Sequence, residues 1–291
     1  MNRHHAWIRT LKTLAIVLAV TGIAGAAADL ASPQGAVTLA YKLAPGATLA
    51  YKQSGTQTQD LDMMGQTMST VSSSSMDLTL KGKAPKDGNL LLGVTIDGMT
   101  VSVQSPQGDI NPDLAGILGK SFDLVLSPLG KEIDVSGAAV LQLDMGQSGR
   151  RDLTSNFQAF FPDLPDHAVK TGDQWPSEDV VVQKSDQGDI RLNFKNDHTL
   201  DGFETIDGRE CARIKTIVKG TMSGALNQGG VALALDAKLE GTSTWYFDAK
   251  AGVLVKSESK ATMGGVISIE SMNMTIGFSG EQKATTGLVK K

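Results

Sequence analysis

The sequence contains very little cysteine, since Cys211 is the only one among 291 residues. A single cysteine cannot form an internal disulfide, so the folded chain must depend on its core for stability. Paired-cysteine metal sites are excluded for the same reason. We interpret Cys211 as a small buried side chain on a strand, because no residue near it in the sequence would activate a thiol nucleophile.

Histidine and aromatic residues are scarce as well. Only His167 and His198 follow the first 28 residues, and both are predicted to lie at the surface. Neither H-E-x-x-H nor G-x-S-x-G occurs. Aromatic residues make up 5% of the chain, which is few for the sugar platforms of a carbohydrate enzyme. We predict no catalytic residue, no metal site and no cofactor, and a hydrolase that uses two unrecognised carboxylates is a third-ranked alternative.

The first 28 residues have the three parts of a secretory signal peptide. Three basic residues and no acid precede the apolar run 14–23, and Ala26 and Ala28 occupy the positions that signal peptidase reads. The apolar run is too short to cross a membrane as a helix. We therefore predict cleavage after Ala28, with no cysteine there to carry a lipid. The mature protein is expected in the periplasm or outside the cell, without a stable transmembrane segment.

The chain that remains after cleavage is acidic. Of the 27 basic residues the leader takes three, so 24 remain against 31 acidic ones, a net charge of −7. Acidic and basic residues are interspersed, which is typical of a solvated surface. We expect no nucleic-acid partner. No pattern in the sequence indicates an oligomeric state.

Glycine is abundant, with 32 residues, and Asp-Gly pairs recur between segments of alternating hydrophobicity. Alternation with period two predicts strands buried on one face, as in 76–80 and 90–96. Asp-Gly pairs supply the positive φ angles that tight hairpin turns require. The pairs are Asp87-Gly88, Asp97-Gly98, Asp201-Gly202 and Asp207-Gly208. A further hairpin is predicted over 242–259, with its turn at 249–252.

Two segments depart from this alternation and predict short amphipathic helices. Asn111-Pro112 is a helix-starting pair, and an apolar stripe follows it up to residue 119. Residues 151–161 place Leu153 and three phenylalanines on one side, before Pro162 ends the pattern. We interpret both helices as covers packed on a sheet.

Similar strand-turn-strand patterns at 122–136 and 245–259 indicate an internal repeat. We therefore predict an all-β fold of two related, strongly curved antiparallel sheets, half-barrel-like, with the two short helices. A single continuous sheet is the alternative. The predicted organisation is a signal peptide at 1–28, a first β unit at 29–149 with a helix near 112–119, a helix and linker at 150–166, and a second β unit at 167–291.

Methionine is the most unusual feature of the composition. Thioethers are soft ligands that suit Cu(I), but the spacing here is irregular and no histidine accompanies it, so filling of irregular core space is the favoured interpretation. Unbranched side chains could also line an adaptable pocket for an apolar ligand. The residues predicted to line such a pocket are Met63, Met64, Met68, Met76, Phe157, Phe160 and Trp175.

Short segments spread over the mature chain carry a resemblance. They include Tyr41-Lys42-Leu43-Ala44-Pro45-Gly46, Ser127-Pro128-Leu129-Gly130-Lys131, Phe161-Pro162-Asp163-Leu164-Pro165 and Trp245-Tyr246-Phe247-Asp248. With them the chain resembles a family of uncharacterised exported bacterial proteins, a domain of unknown function. Because that family has no assigned activity, the resemblance implies no functional residue. The hairpin 245–258 is also similar to one in periplasmic lipoprotein carriers, whose fold is an incomplete β-barrel closed by helices around an apolar cavity.

These observations predict a non-enzymatic binding or carrier module for an apolar ligand or an envelope component. A structural or protein-interaction domain of the cell envelope is the main alternative. A carrier predicts a continuous apolar cavity, large enough for an acyl chain, between sheet and helices.

Overall fold

The computed structural model of this chain describes residues 35–63, 65–146 and 149–289. The predicted leader with its cleavage after Ala28 lies outside these residues, and so does Met64. Among the residues described, no helix combines the length and the apolar character needed to span a bilayer.

The fold is all-β, because the alternating segments form strands throughout. Buried residues recur at every second position, for example in 76–80 and 92–96, as period two requires. The strands are β1 (Thr48–Met63), β2 (Gln66–Gly82), β3 (Leu90–Gln104), β4 (Ser121–Leu126), β5 (Glu132–Asp134), β6 (Gln142–Asp144), β7 (Arg150–Asp152), β8 (Gln174–Gln183), β9 (Gly188–Ile206), β10 (Arg209–Gln228), β11 (Val231–Asp248), β12 (Val253–Ile269) and β13 (Met274–Leu288).

Eleven of these strands form one antiparallel sheet, in the order β5-β4-β3-β2-β1-β13-β12-β11-β10-β9-β8, while β6 and β7 form a small separate sheet. The prediction of two related sheets, one in each half of the chain, is therefore wrong, and the alternative of a single continuous sheet through both halves is correct. β1 pairs with β13 and so joins the two predicted units. The paired residues run from Tyr51 with Leu288 to Asp62 with Gly277. The internal repeat and the boundaries of the two units stay predictions.

The predicted hairpin turns are confirmed at some Asp-Gly pairs and wrong at others. Asp207 and Gly208 have φ angles of 53° and 81° and connect β9 to β10. Asp87-Gly88 likewise forms a turn between β2 and β3. In contrast, Asp97-Gly98 lies inside β3 and Asp201-Gly202 inside β9, each at a shift of register. Both pairs therefore lie at β-bulges instead of turns, and of the two glycines Gly202 has a positive φ, 145°.

Neither predicted helix forms. Residues 115–119 make a turn in which the amide of Ile117 donates to the carbonyl oxygen of Leu114. The segment 151–161 ends β7 and continues as the short 3-10 turn Thr154–Phe157. The apolar side chains of this segment are nevertheless buried as predicted, because a 3-10 turn can present them to the sheet as a helix would.

The two edges of the sheet, β5 and β8, lie close to each other. Lys131, just before β5, donates through Nζ to the carbonyl oxygen of Glu178 in β8, at 2.7 Å. Between β5 and β8 the chain runs through residues 135–146 and 149–173, which we call the connecting segment. Its Gln158 accepts a hydrogen bond from the amide of Val182, at 2.7 Å, and so satisfies an edge donor of β8.

Inward side chains form two apolar cores. The near core packs the connecting segment against β1–β4 and parts of β9–β12, and it contains most of the buried aromatic residues. The far core lies toward the other end of the long strands and contains residues of β8–β13, with partly buried residues of β1 beside it. Cys211 belongs to a third, smaller cluster and is buried in β10, so its prediction as a buried strand residue is confirmed.

Candidate functional site

A row of small and polar residues crosses the sheet between the near core and the far core. Each member is the cross-strand partner of the next, from β9 to β2. We call this set the polar row, and it consists of His198, Thr216, Ser243, Ser259, Ala284, Gly55 and Ser74. Small side chains fill less space than the leucines and phenylalanines on either side, so cavities form along the row.

One cavity along this row is a cleft of about 90 Å³ near the β8 edge of the sheet. Its volume exceeds the roughly 30 Å³ that one water molecule occupies in the liquid. Apolar groups of both cores form its walls, and polar groups form its floor and rim. The walls include Phe160, Phe161, Pro162, Phe194 and Trp245; the floor includes His198, Thr216, Ser243 and Ser259; the rim includes Asp163, Asp179, Gln183 and Asn196.

Two carboxylates of the rim share one lysine. The Nζ atom of Lys131 lies 2.5 Å from Oδ1 of Asp179 and 3.4 Å from Oδ2 of Asp163. Burial and the neighbouring Asp179 raise the pKa of Asp163. Burial lowers the pKa of Lys131, but its hydrogen bond to Asp179 and the charges of both carboxylates outweigh this effect and raise it overall. The lysine therefore stays charged and holds the edge strands together at the mouth of the cleft.

His198 is buried, with 2% of its surface exposed, so the prediction that it lies at the surface is wrong. Its Nε2 lies 2.9 Å from Oγ of Ser177, its Nδ1 lies 2.8 Å from Oγ1 of Thr216, and its ring stacks on Trp175. Burial lowers its pKa to about 4, so the ring is neutral at pH 7. A neutral imidazole has one donor and one acceptor nitrogen, and both nitrogens have a hydroxyl partner here.

Two buried oxygens of the cleft lack a hydrogen-bond partner within the part of the chain that the structure describes. They are Oε1 of Gln183 and Oγ of Ser259, whose residues are 7% and 1% exposed. An unpaired buried polar atom costs about 1–3 kcal/mol, so such atoms are rare outside binding sites and hydrated cavities. Both oxygens belong to residues that line the cleft, but the oxygens themselves are enclosed by protein.

Glu132 positions the aromatic wall. Its Oε1 accepts hydrogen bonds from the amides of Phe160 and Phe161, at 2.9 and 3.0 Å. Burial raises its pKa to about 8, even though these amides favour the carboxylate form. The wall of the cleft is therefore coupled to the protonation of one carboxyl group.

The predicted aromatic pocket residues lie in or beside this region. Phe160 lines the cleft. Trp175 stacks on His198, and its Nε1 donates to the carbonyl oxygen of Asp163 at 2.9 Å. Phe157 is fully buried in the near core, with its ring centroid 4.8 Å from that of Phe122.

The predicted methionine pocket residues lie elsewhere and are spread over separate cavities. Met76 is buried in the near core and borders a cavity of about 30 Å³, while Met63 and Met68 border another of about 20 Å³. A role for the described methionines in ligand binding stays a prediction.

Sequence patterns did not identify the rim of the cleft. Asp179 and Gln183 lie four residues apart on β8, but Asp163 belongs to the connecting segment, and a contact between that segment and β8 leaves no periodic trace. A weak signal was available for Asp163, which lies in one of the segments that carry the family resemblance.

Comparisons with known proteins give no family. No protein-family model matches the chain, and no curated protein matches it. Among solved structures, one from Bacteroides fragilis, described as an exported protein with a YmcC-like fold, has 8% identity and a TM-score of 0.26; the match covers 87% of this chain and 100% of that one. An outer membrane channel from Pseudomonas putida F1 has 9% identity and a TM-score of 0.33, with 86% and 97% covered. A DUF1329 family protein from Desulfovibrio piger has 13% identity and a TM-score of 0.16, with 79% and 83% covered. These similarities are too weak to transfer a fold or a function.

Proposed function

We propose that the mature chain is an exported, non-enzymatic binding module and that a small amphipathic ligand occupies the cleft. The observation that supports this most directly is the chemistry of the lining. Aromatic rings form one wall, and polar side chains, among them Asp163, Asp179 and His198, line the same space. A ligand with one apolar part and one hydrogen-bonding part matches both surfaces. Export rests on the predicted leader and places the protein in the periplasm or outside the cell.

The size of the cleft limits the ligand. Sites for drug-sized molecules enclose about 300–1,000 Å³, whereas the interior cavities described above measure about 90, 30 and 20 Å³. The cleft and the two smaller cavities are therefore too small for a long acyl chain, while a more open groove of about 340 Å³ lies along residues 217–219, 240–242 and 260–262. We favour a ligand with a short apolar part.

Fluorescence titration tests this proposal, because Trp245 lines the cleft. The probes are hexylamine, hexanoate and hexanol, which share one alkyl chain and differ in charge. We expect at least one to change the fluorescence saturably, and Ser259→Leu to abolish the change by filling the cleft. Thr262→Leu, on the exposed face of the same strand, is the matched control. Gln183→Leu, which removes an unpaired oxygen at similar volume, provides a second variant if Ser259→Leu does not fold.

A hydrolase is the second candidate, because Asp163 and Asp179 face one cavity and a pair of carboxylates is the minimum for glycoside hydrolysis. Lys131 bonds to both carboxylates, which argues against this role because it occupies the oxygens that a substrate would need. Turnover of aryl glycosides that disappears in both Asp163→Asn and Asp179→Asn would favour the hydrolase over the binding module.

A further inference from the structure

We propose that the ligand of the cleft is a cation, specifically a primary alkylammonium ion with a short apolar chain. This inference rests on the proposed function and adds the charge and the head group of the ligand. Four observations support it: the charge of the lining, its aromatic walls, the acceptor oxygens of its rim, and the position of Lys131 beside that rim.

The charge of the lining is negative. Asp163 and Asp179 are the acidic residues of the lining, and no lysine or arginine lines the cleft among the residues described. His198 in the floor is neutral at pH 7 because burial lowers its pKa. Lys131 offsets part of this charge from outside the lining, which leaves an excess of one negative charge. A bound carboxylate would face like charges at short range, whereas an ammonium would be attracted.

The apolar walls also suit a cation. Phe160, Phe161, Phe194 and Trp245 place aromatic rings around the same space. The faces of aromatic rings carry partial negative charge and attract ammonium groups within about 6 Å. The combination of aromatic walls with carboxylates accommodates both the charge and the alkyl chain of an amphipathic amine.

The carboxylates of the rim also call for a hydrogen-bond donor. When ionised, Asp163 and Asp179 can only accept hydrogen bonds. A primary ammonium has three N–H donors and no acceptor, as a lysine side chain does. It would pair with more than one of these oxygens, whereas a hydroxyl ligand would supply a single donor.

Lys131 shows that this rim already binds an ammonium group. Its Nζ contacts Asp163 and Asp179, at 3.4 and 2.5 Å, and about half of its side chain is exposed. A ligand ammonium would share or displace these contacts. Lys131 is therefore expected to compete with the ligand, so removing its charge should strengthen binding.

The experiment compares hexylamine, hexanoate and hexanol at pH 7 by fluorescence titration and calorimetry. We expect hexylamine to bind at least tenfold more tightly than either of the others. Asp179→Asn should weaken hexylamine binding about tenfold, whereas Lys131→Gln should strengthen it. The matched control is Asp77→Asn, which removes the same charge from an exposed pair with Lys52. Circular dichroism confirms that each variant is folded.

The outcomes separate this inference from the proposed function. Tighter binding of hexanoate or hexanol, with loss in Ser259→Leu, would overturn the cationic ligand and leave the binding module intact. Saturable binding of none of the probes would count against both. Equal weakening by Asp179→Asn and Asp77→Asn would overturn the role of the rim, because a general effect of net charge would then explain the result.

Discussion

The near core and the far core share the same long strands but are filled in different ways. The near core takes Phe157, Phe160 and Phe161 from the connecting segment, and their rings pack in a chain of edge-on and stacked contacts with Tyr41, Tyr51 and Phe122. The far core contains no residue of the connecting segment, and its members are mostly aliphatic residues and methionines of the strands themselves.

This difference explains why the cleft lies where it does. Residues of the connecting segment fill the interior up to Phe160 and Phe161, and the strand residues of the far core fill it from the other end. The polar row lies between them, where side chains are too small to close the gap. The cleft therefore forms where two differently packed cores meet inside one sheet.

The largest loss of stability is expected when a side chain is removed from the aromatic part of the near core. Phe157 is 2% exposed and contacts two other rings, so Phe157→Ala should lower the free energy of unfolding by about 4 kcal/mol. Urea denaturation followed by circular dichroism measures this loss. Val140→Ala, at an exposed position of the same segment, should change the stability by less than about 0.5 kcal/mol. A loss under about 1 kcal/mol for Phe157→Ala would mean that the connecting segment is not part of the core.

A smaller loss is expected in the far core. Met222 is 1% exposed, and Met222→Ala should cost about 3 kcal/mol, since a flexible side chain is removed from a site that aliphatic neighbours can partly refill. Because β10 contains both Ile214 of the near core and Met222 of the far core, the two cores should unfold together. Tryptophan fluorescence and circular dichroism should then give the same midpoint. Separate midpoints would show that the two cores are independent units.

The sequence predicted the strands, which form the far core, better than the connecting segment, which packs into the near core. Strand interiors and several turns followed from alternation and from Asp-Gly pairs, because these are local properties of the chain. Residues 151–161 of the connecting segment were predicted as helix, since the spacing of their phenylalanines fits a helical face and burial alone does not reveal 3-10 geometry. Asp163 and Asp179 were not identified as a pair, because only the folding of the connecting segment against β8 brings them together.

We expect the protonation of Glu132, beside the aromatic wall of the cleft, to make the stability of the protein depend on pH. Burial raises the pKa of Glu132 to about 8 from its ordinary value of about 4.5, so between these values the folded state binds a proton that the unfolded state releases. Stability should therefore fall as the pH rises from about 4.5 to 8. The two pKa values correspond to at most about 5 kcal/mol, and because Glu132 is only partly buried we expect this decline to shrink by roughly 2 kcal/mol in Glu132→Gln. Urea unfolding at a series of pH values measures it, with the exposed Glu178→Gln as control. An unchanged pH profile in Glu132→Gln would contradict the coupling of this carboxyl group to the aromatic wall.

The smallest effects are expected in the polar row, where paired and unpaired hydroxyls can be compared directly. Oγ1 of Thr216 bonds to Nδ1 of His198, so Thr216→Val should cost about 1–2 kcal/mol by leaving a buried nitrogen without a partner. Thr216→Ser keeps the hydroxyl and should cost less. Ser259→Ala removes an oxygen that already lacks a partner among the described residues, and should be neutral or slightly stabilising. Thermal unfolding of the three variants ranks them. If Ser259→Ala proves more costly than Thr216→Val, then Oγ of Ser259 is already satisfied in the free protein and is not available to a ligand.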